Sequence, residues 1–307
     1  MNAYYLRNTP SGLEVALREL PVPSPKVGER LIRVHAASLN RGELLGATSD
    51  WKPAGAELAG EDVTTGERWM GRCRGGFAQY ALLDDREALP IPSSLSFEQA
   101  AAVPLTFLVA YDMLIEQGRL RAAEWLLIVG ASSGVGVASL RMGKLLGAQV
   151  AVTSSSERKL ERLTSLGADV VLPTQSFASS LRERTGGHGA DLIVNAVGGS
   201  QAAACLSSLA YQGRLAIVGS LDGVLSAQLD LGSVHEQRLQ IFGVSNRLRS
   251  ATAKAETVAG FRRDVLPVLL DGRLTPVIDQ VFPMSELAEA IAVMQRGQHV
   301  GKLVVRW

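Results

Sequence analysis

Cysteine is nearly absent from this chain: 307 residues contain only Cys73 and Cys205. That excludes a disulfide framework and a four-cysteine zinc lobe, and two isolated thiols read as buried fillers rather than nucleophiles. Histidine is scarce as well. His35, His188, His235 and His299 lie scattered without metal-ligand spacing and read as structural or surface residues. An excess of charge of one sign is missing, with 31 basic against 30 acidic side chains, so nothing draws the chain toward nucleic acid. No apolar run approaches the roughly 18 residues that cross a bilayer, and residues 1–10 lack a secretory pattern. A cytoplasmic protein with no membrane partner is the expectation. What is plentiful is glycine, 31 in all, and apolar side chains at 47%. This rules out a mainly disordered chain, and the length suggests two domains that each bury a core.

The first hundred residues read as short extended pieces, 31–36 and 77–83 among them, punctuated by Gly60, Gly66, Gly71, Gly75 and Gly76. Short β-prone runs between turn formers predict a compact, mostly β unit. The pattern changes at Trp125. An apolar run over 125–129 meets a glycine-rich turn and a helical stretch over 134–146; the alternation continues with strands at 149–153, 170–172, 191–194, 214–218 and 240–244 and a helix at 156–166. Strands alternating with helices at this spacing predict a doubly wound parallel sheet covered on both faces. Beyond it the periodicity predicts one long helix over 251–270, a second opening at Pro283 and Ser285 and running to Met294, and a closing strand over 302–306 that returns to the first domain.

The turn after the first apolar run reads Gly130, Ala131, Ser132, Ser133, Gly134, Val135, Gly136. A strand ending in such a turn and feeding a helix leaves backbone amides and the positive end of the helix dipole where a pyrophosphate docks. The usual three-glycine spacing is kept only in part, with Ala131 and Ser133 in the first two places and Gly136 in the third; the alternative is a tight turn that binds nothing. After the next strand come Ser154, Ser155, Ser156, Glu157, Arg158 and Lys159, with no acidic residue at the strand end. Hydroxyls followed by two cations suit a 2′-phosphate and favour NADPH over NADH; a merely solvated helix face is the competing reading of Arg158 and Lys159.

Several stretches together carry a resemblance. Gly55, Glu57, Ala59 and Gly60 match G-x-E-x-A-G; Gly75 to Ala78 with Tyr80 resemble G-G-[FY]-A-[EQ]-Y; Gly167 with Ala168, Val197 to Gly199, and Gly301 with Lys302 match further short motifs. The chain resembles the medium-chain dehydrogenase/reductase superfamily, in its zinc-free quinone oxidoreductase and enoyl reductase branch. The resemblance implies an α/β protein with a GroES-like β-barrel domain, residues 1–119 and 277–307, beside a Rossmann dinucleotide-binding domain, residues 120–276, with the nicotinamide in the cleft. It implies cofactor contacts at Asn40, Gly130, Ser132, Ser133, Gly134, Val135, Ser154, Ser155, Arg158, Lys159, Val197, Gly219, Phe242 and Val244. Asn40 would lie near the nicotinamide ribose, although Asn also caps turns, and the backbone from Phe242 to Val244 would orient the carboxamide. Zinc-dependent relatives place a cysteine where this chain has Asn40 and a histidine where it has Ala56, so no metal is implied. A homodimer paired through the sheet edge near residues 240–244 is typical of relatives.

Departures from the family pattern shape the catalytic reading. The barrel is trimmed between Glu61 and Gly66. Trp51 stands where enoyl reductase relatives carry a tyrosine, and an indole N–H donates a hydrogen bond but supplies no proton. Val109 replaces a threonine, leaving Thr106 as the substitute hydroxyl, or else a core or cap residue. Asn40, Trp51 and Thr106 are therefore the catalytic candidates. Glu43 is the only carboxylate close to Asn40 in sequence; it would act as a general acid if burial raised its pKa, but a lone loop Glu is usually solvated. The resulting expectation is an NADPH-dependent, zinc-independent oxidoreductase that passes hydride to a quinone or an α,β-unsaturated carbonyl. The alternative is an NADPH-binding sensor or partner protein with little catalysis.

Overall fold

A computed structural model describes residues 1–45 and 48–307. The chain opens with strands β1 (Asn2–Thr9), β2 (Gly12–Glu19) and β3 (Glu29–Ser38), the short helix α1 (Arg41–Leu45), and strands β4 (Lys52–Pro53), β5 (Glu57–Asp62), β6 (Arg68–Arg72), β7 (Tyr80–Asp84) and β8 (Ala88–Pro90). Helices α2 (Phe97–Ala101) and α3 (Pro104–Tyr111) follow, and α3 runs into a π-helical turn, Asp112–Gln117. In the middle of β3 the faces alternate, with Ile32 and Val34 buried on either side of an exposed Arg33, and its end, Ala36 to Ser38, is buried on both faces. The trimmed rim after Glu61 is a tight connection between antiparallel β5 and β6. Asp62 closes it, its Oδ1 accepting the Thr64 and Thr65 amides at 2.8 and 3.1 Å.

The middle of the chain alternates β9 (Trp125–Val129), α4 (Gly134–Leu145), β10 (Gln149–Ser154), α5 (Glu157–Ser165), β11 (Val170–Pro173), α6 (Phe177–Arg184), β12 (Ala190–Asn195), α7 (Gly199–Ser207), β13 (Leu209–Ile217), α8 (Leu231–Glu236) and β14 (Gln240–Gly243). All neighbours are parallel and the strand order is β11-β10-β9-β12-β13-β14. Numbered from β9, that is the 3-2-1-4-5-6 order of a dinucleotide-binding sheet, whose topological switch point lies between β9 and β12. Leu126 to Val129 are fully buried, which is why β9 reads as an unbroken apolar run.

The last part holds α9 (Ala251–Asp264), α10 (Leu266–Leu270), β15 (Ile278–Pro283), a 3₁₀ turn (Met284–Glu286), α11 (Leu287–Arg296) and β16 (Lys302–Arg306). Two expectations are corrected here. The single helix over 251–270 is broken at Val265, because Pro267 sits in the first turn of α10 and cannot continue the preceding hydrogen-bond ladder. The helix read from Ser285 to Met294 begins as a 3₁₀ turn and extends to Arg296, capped by Gly297 in the left-handed conformation. The closing strand β16 returns to pair antiparallel with β3, and it brings with it a parallel partner, β15, that the periodicity missed.

Contacts divide the chain into two compact units, Met1–Leu108 with Ser250–Trp307, and Val109–Arg249, rather than at 119/120 and 276/277. The first contains a sheet in the order β15-β16-β3-β5-β6-β8, with β7 on β3, and a second sheet, β2-β1-β4. Helices α9 and α10 belong with it because Arg262 Nη2 donates to the Ala88 carbonyl and Ser94 Oγ to the Leu269 carbonyl at 3.4 Å. Its core gathers Leu39, Phe77, Leu287, Leu303 and Val305; that of the second unit gathers Leu127, Val129, Phe177, Ile193 and Leu215. Among the described residues no helix is long and apolar enough to cross a membrane.

Candidate functional site

In the second unit the expected cofactor residues fall at one edge of the parallel sheet. Gly130 to Val135 follow β9, Ser154 ends β10, Val197 follows β12, Gly219 follows β13, and Phe242 and Val244 lie on and just after β14. These are the carboxyl ends of neighbouring strands, the edge at which doubly wound sheets bind ligands. Local chemistry fixes the turn. Gly130 has φ +85°, a conformation that strains any other residue, and its amide donates to Thr153 Oγ1 at 3.2 Å while the Ala131 amide reaches the Thr153 carbonyl at 3.1 Å. Ser133 is the N-cap of α4, its Oγ accepting the Gly136 amide at 3.1 Å. Gly136 admits no side chain, because a Cβ there would meet the Ala131 carbonyl oxygen at 2.6 Å and its Cα at 2.7 Å; the helix thus starts close against the turn.

A helix leaves its first amides without intrahelical partners. In α4 the Gly136 amide is taken by Ser133 Oγ and the Val137 amide by the Ser133 carbonyl. The amides of Gly134 and Val135 remain, at the positive end of a helix that runs to Leu145. Helix-start amides at the positive end of the dipole suit an anion such as a diphosphate, and the small residues of the turn leave its backbone uncovered by bulky side chains. Lys159 Nζ lies 3.4 Å from Ser132 Oγ, so α5 presents an ammonium to this same turn. Ser155 and Arg158 are exposed beside it, and Ser154 is buried. The residues present therefore fit a phosphorylated dinucleotide.

Three residues outside the expected cofactor contacts also shape this edge. Thr153 ties the turn to β10. Buried Asn195 accepts the Val197 and Gly198 amides at 3.0 and 3.1 Å and donates to the Gly198 carbonyl, shaping the segment that bears Val197. Asp222 Oδ2 accepts the Ser200 amide at 3.0 Å, fastening the loop after β13 to the start of α7. Asn195 and Asp222 are short polar residues flanking glycines after strands, which was the available signal.

The catalytic candidates lie in or at the border of the first unit, and the structure separates them. Asn40 is buried: its Nδ2 donates to Glu57 Oε1 at 2.8 Å and to the Ser38 carbonyl at 3.3 Å, and its Oδ1 accepts Lys302 Nζ at 2.7 Å. Lys302 Nζ also donates to Glu57 Oε1 and to the Leu39 carbonyl, both at 2.9 Å. Glu57, fully buried, further accepts the Ser38 hydroxyl and, through Oε2, the Leu105 amide in the first turn of α3 at 2.7 Å. Thr106 is buried and its hydroxyl donates to the Ala102 carbonyl at 3.1 Å, the core and cap placement. Trp51 is half-buried with Arg7 and Arg18 over its ring at 4.6 and 5.1 Å.

Glu43 departs from expectation. It lies on α1, not on a solvated loop; its Oε1 accepts the Gly55 amide and its Oε2 is enclosed without a well-formed hydrogen bond. Burial pushes this carboxyl up to about 7, with Glu57 adding to the rise and the Gly55 amide and Lys302 opposing it. The same neighbourhood holds Cys73, whose thiol is raised well above its usual value by burial first and by Glu43 and Glu57 after it. Burial raises the Cys205 thiol to about 12. Cys205 is a buried filler as expected, whereas Cys73 is half-buried and packs against the cluster of Ile32 and Leu83.

Comparison with known proteins bears on these arrangements. The crystal structure of the quinone oxidoreductase from Thermus thermophilus, solved also in complex with NADPH, aligns at a TM-score of 0.87 and 29% identity over 100% of both chains. That of an NAD-dependent alcohol dehydrogenase aligns at 0.85 and 28%, again over 100% of both. A family model described as zinc-binding dehydrogenase matches residues 134–259. The chain belongs to the medium-chain dehydrogenase/reductase superfamily. Among curated relatives, the spectinabilin polyketide synthase system protein NorB of Streptomyces orinoci is 30% identical over 91% of this chain, yet the match spans 13% of that protein. The chain spans about an eighth of the length of the curated relatives it matches.

Proposed function

We propose that this chain is an NADPH-dependent, zinc-independent oxidoreductase that delivers hydride to a quinone or an activated C=C, with residues of the second unit binding the dinucleotide. The observation that carries the reading is the glycine-rich turn that opens α4 at Gly134, with Ser133 as its cap, set at the switch point of a 3-2-1-4-5-6 sheet. The bound cofactor supplies the hydride; the protein contributes binding, orientation and electrostatics. The amides of Gly134 and Val135 hold the diphosphate. Ser154, Ser155, Arg158 and Lys159 receive the 2′-phosphate, and a cationic pair answers its charge better than it would a free ribose hydroxyl. Gly130, Val197 and Gly219 keep the edge low enough for the dinucleotide to lie across it, and the backbone at Phe242 and Val244 meets the carboxamide.

Zinc independence draws support from Lys302, whose ammonium lies 2.7 Å from Asn40 Oδ1. A fixed internal cation already occupies the neighbourhood of a residue whose counterpart in zinc-dependent relatives is a ligand. We read the protein as cytoplasmic and homodimeric, the second of which sedimentation with and without NADPH checks. NADPH absorbance should fall when a quinone or enone is added, and Gly134→Asp, which sets a carboxylate against the diphosphate, should abolish both NADPH binding and turnover. Unchanged turnover in that variant sinks the site.

The second reading, a dinucleotide-binding sensor, is favoured by Thr106 and Trp51. The hydroxyl of one is committed to Ala102 and the ring of the other is covered by two guanidinium groups. Tight NADPH binding with no consumption across a broad quinone and enone panel would select it.

A further inference from the structure

An α-helix brings residues i and i+4 onto one face, and residues five apart point away from each other. The segment after α3 winds instead as a π-helical turn, Asp112–Gln117, a rare form that occurs mostly as single turns within α-helices and is frequent at functional sites. Its wider register aligns its first and last residues, and Gln117 Nε2 donates to Asp112 Oδ1 at 3.0 Å. The turn is built into the packing at its end, because a Cβ at Gly118 would meet the Met113 carbonyl oxygen at 2.1 Å. Gln117 Nε2 makes a second bond, 3.3 Å to the carbonyl oxygen of Gly243. Asp112 is buried and its other oxygen faces Arg249 at 3.6 Å, so its position does not depend on Gln117.

Gly243 lies between Phe242 and Val244 on the outermost strand of the parallel sheet among the described residues, paired with β13. Besides the ladder from β14 to β13, a side-chain amide holds the Gly243 carbonyl. We propose that Gln117 is a positioning residue: braced by Asp112 across the π-turn, it fixes the Gly243 carbonyl and so holds the Phe242–Val244 backbone where the nicotinamide carboxamide binds. This rests on the dinucleotide reading given above. It assigns a function to the π-turn and separates nicotinamide placement from diphosphate binding, which belongs to the other side of the sheet's switch point.

The test uses two ligands and two variants of the full chain. Gln117→Met keeps the shape without the donor, and Gln117→Lys restores a donor; Gln117 is exposed, so both should fold, as circular dichroism checks. NADPH and 2′,5′-ADP, which lacks the nicotinamide, are titrated by calorimetry. Loss of one such hydrogen bond should weaken NADPH about five-fold in Gln117→Met, leave 2′,5′-ADP unchanged, and be recovered in Gln117→Lys. Equal NADPH affinity in Gln117→Met and wild type, or an equal loss for both ligands, overturns the proposal. A wild-type chain that binds neither ligand overturns the dinucleotide reading, and this inference with it.

Discussion

Replacing Glu43 with glutamine should change how stability depends on pH far more than it changes stability at any mildly acidic pH. Glu43 Oε1 holds the Gly55 amide and Oε2 is enclosed, so a glutamine of the same shape reproduces the neutral acid. The carboxyl sits at about 7 in the folded chain against an ordinary value of 4.5, and each pH unit of that difference is worth about 1.4 kcal/mol. The full effect is therefore about 3 kcal/mol. Because the folded value is raised, the contribution to stability is fully present below about pH 4.5 and is lost as pH rises through about 7. Above that the fold must hold a buried carboxylate beside Glu57, which burial and like charge both disfavour.

Urea unfolding of wild type and Glu43→Gln at intervals from pH 5 to 8.5 measures this directly. Every other titrating group is common to the two proteins, so the difference between their curves isolates position 43. The two should be similar near pH 5. By pH 8 the variant should be the more stable by about 3 kcal/mol, with most of the change between pH 5 and 7.5. A difference that stays flat across this window refutes the buried, protonated Glu43, and with it the account of Cys73, whose raised thiol shares the same surroundings.

Three further outcomes follow from the same geometry. Lys302→Met leaves the Glu57 carboxylate buried without its cation and should cost about 3–5 kcal/mol in urea unfolding, whereas the double variant Lys302→Met, Glu57→Gln should recover part of that; a cost below about 1 kcal/mol would contradict the buried pair. Arg158→Ala with Lys159→Ala should lower kcat/KM for NADPH by ~10- to 100-fold while leaving NADH nearly unchanged, as expected for charge-assisted contacts to a 2′-phosphate, and equal losses for the two cofactors would return these residues to a solvated helix face. A thiol reagent at pH 8 should label neither Cys73 nor Cys205 in the native chain and both once it is unfolded in urea, since the thiolate is the reactive form; rapid native labelling of Cys73 would place it outside the enclosed cluster.

Strands buried on both faces announce themselves. The run at Trp125–Val129 and the closing strand at Lys302–Arg306 were legible to the residue because nothing polar interrupts them on either face or because a glycine marks their start. The α4 start was legible for a related reason: small residues and a serine cap are the chemistry a strand-to-helix turn requires. Strand β15 was not, since Asp279 and Gln280 break the alternation on a strand with a solvated side. The π-turn left no periodic trace either. Its residues Met113 and Leu114 are apolar and buried, and a turn of six residues is too short for its apolar positions to distinguish one helical register from another. Pro267 did carry a visible signal for the break between α9 and α10, and the amphipathic pattern across it concealed the interruption.

The candidate site divides along the same physical line. Phosphate binding depends on residues a few positions apart, so the turn from Gly130 to Gly136 could be read locally. Asn40, Glu57 and Lys302 meet across 17 and 245 residues, and no local pattern encodes that. Their motifs nevertheless stood out separately, as a lone asparagine, as G-x-E-x-A-G and as a glycine-lysine pair. One buried ion cluster explains all three. Glu57 accepts from Ser38, Asn40 and Lys302 through one oxygen and from the Leu105 amide through the other, so a single carboxylate fixes the end of β3, the start of β16 and the first turn of α3. The glycines of these motifs follow from that arrangement. A Cβ at Gly60 would meet the Arg33 carbonyl oxygen at 2.1 Å, and one at Gly301 the Val277 carbonyl oxygen at 2.4 Å, so glycine lets β5 lie close against β3 and lets the residue before β16 lie close against Val277.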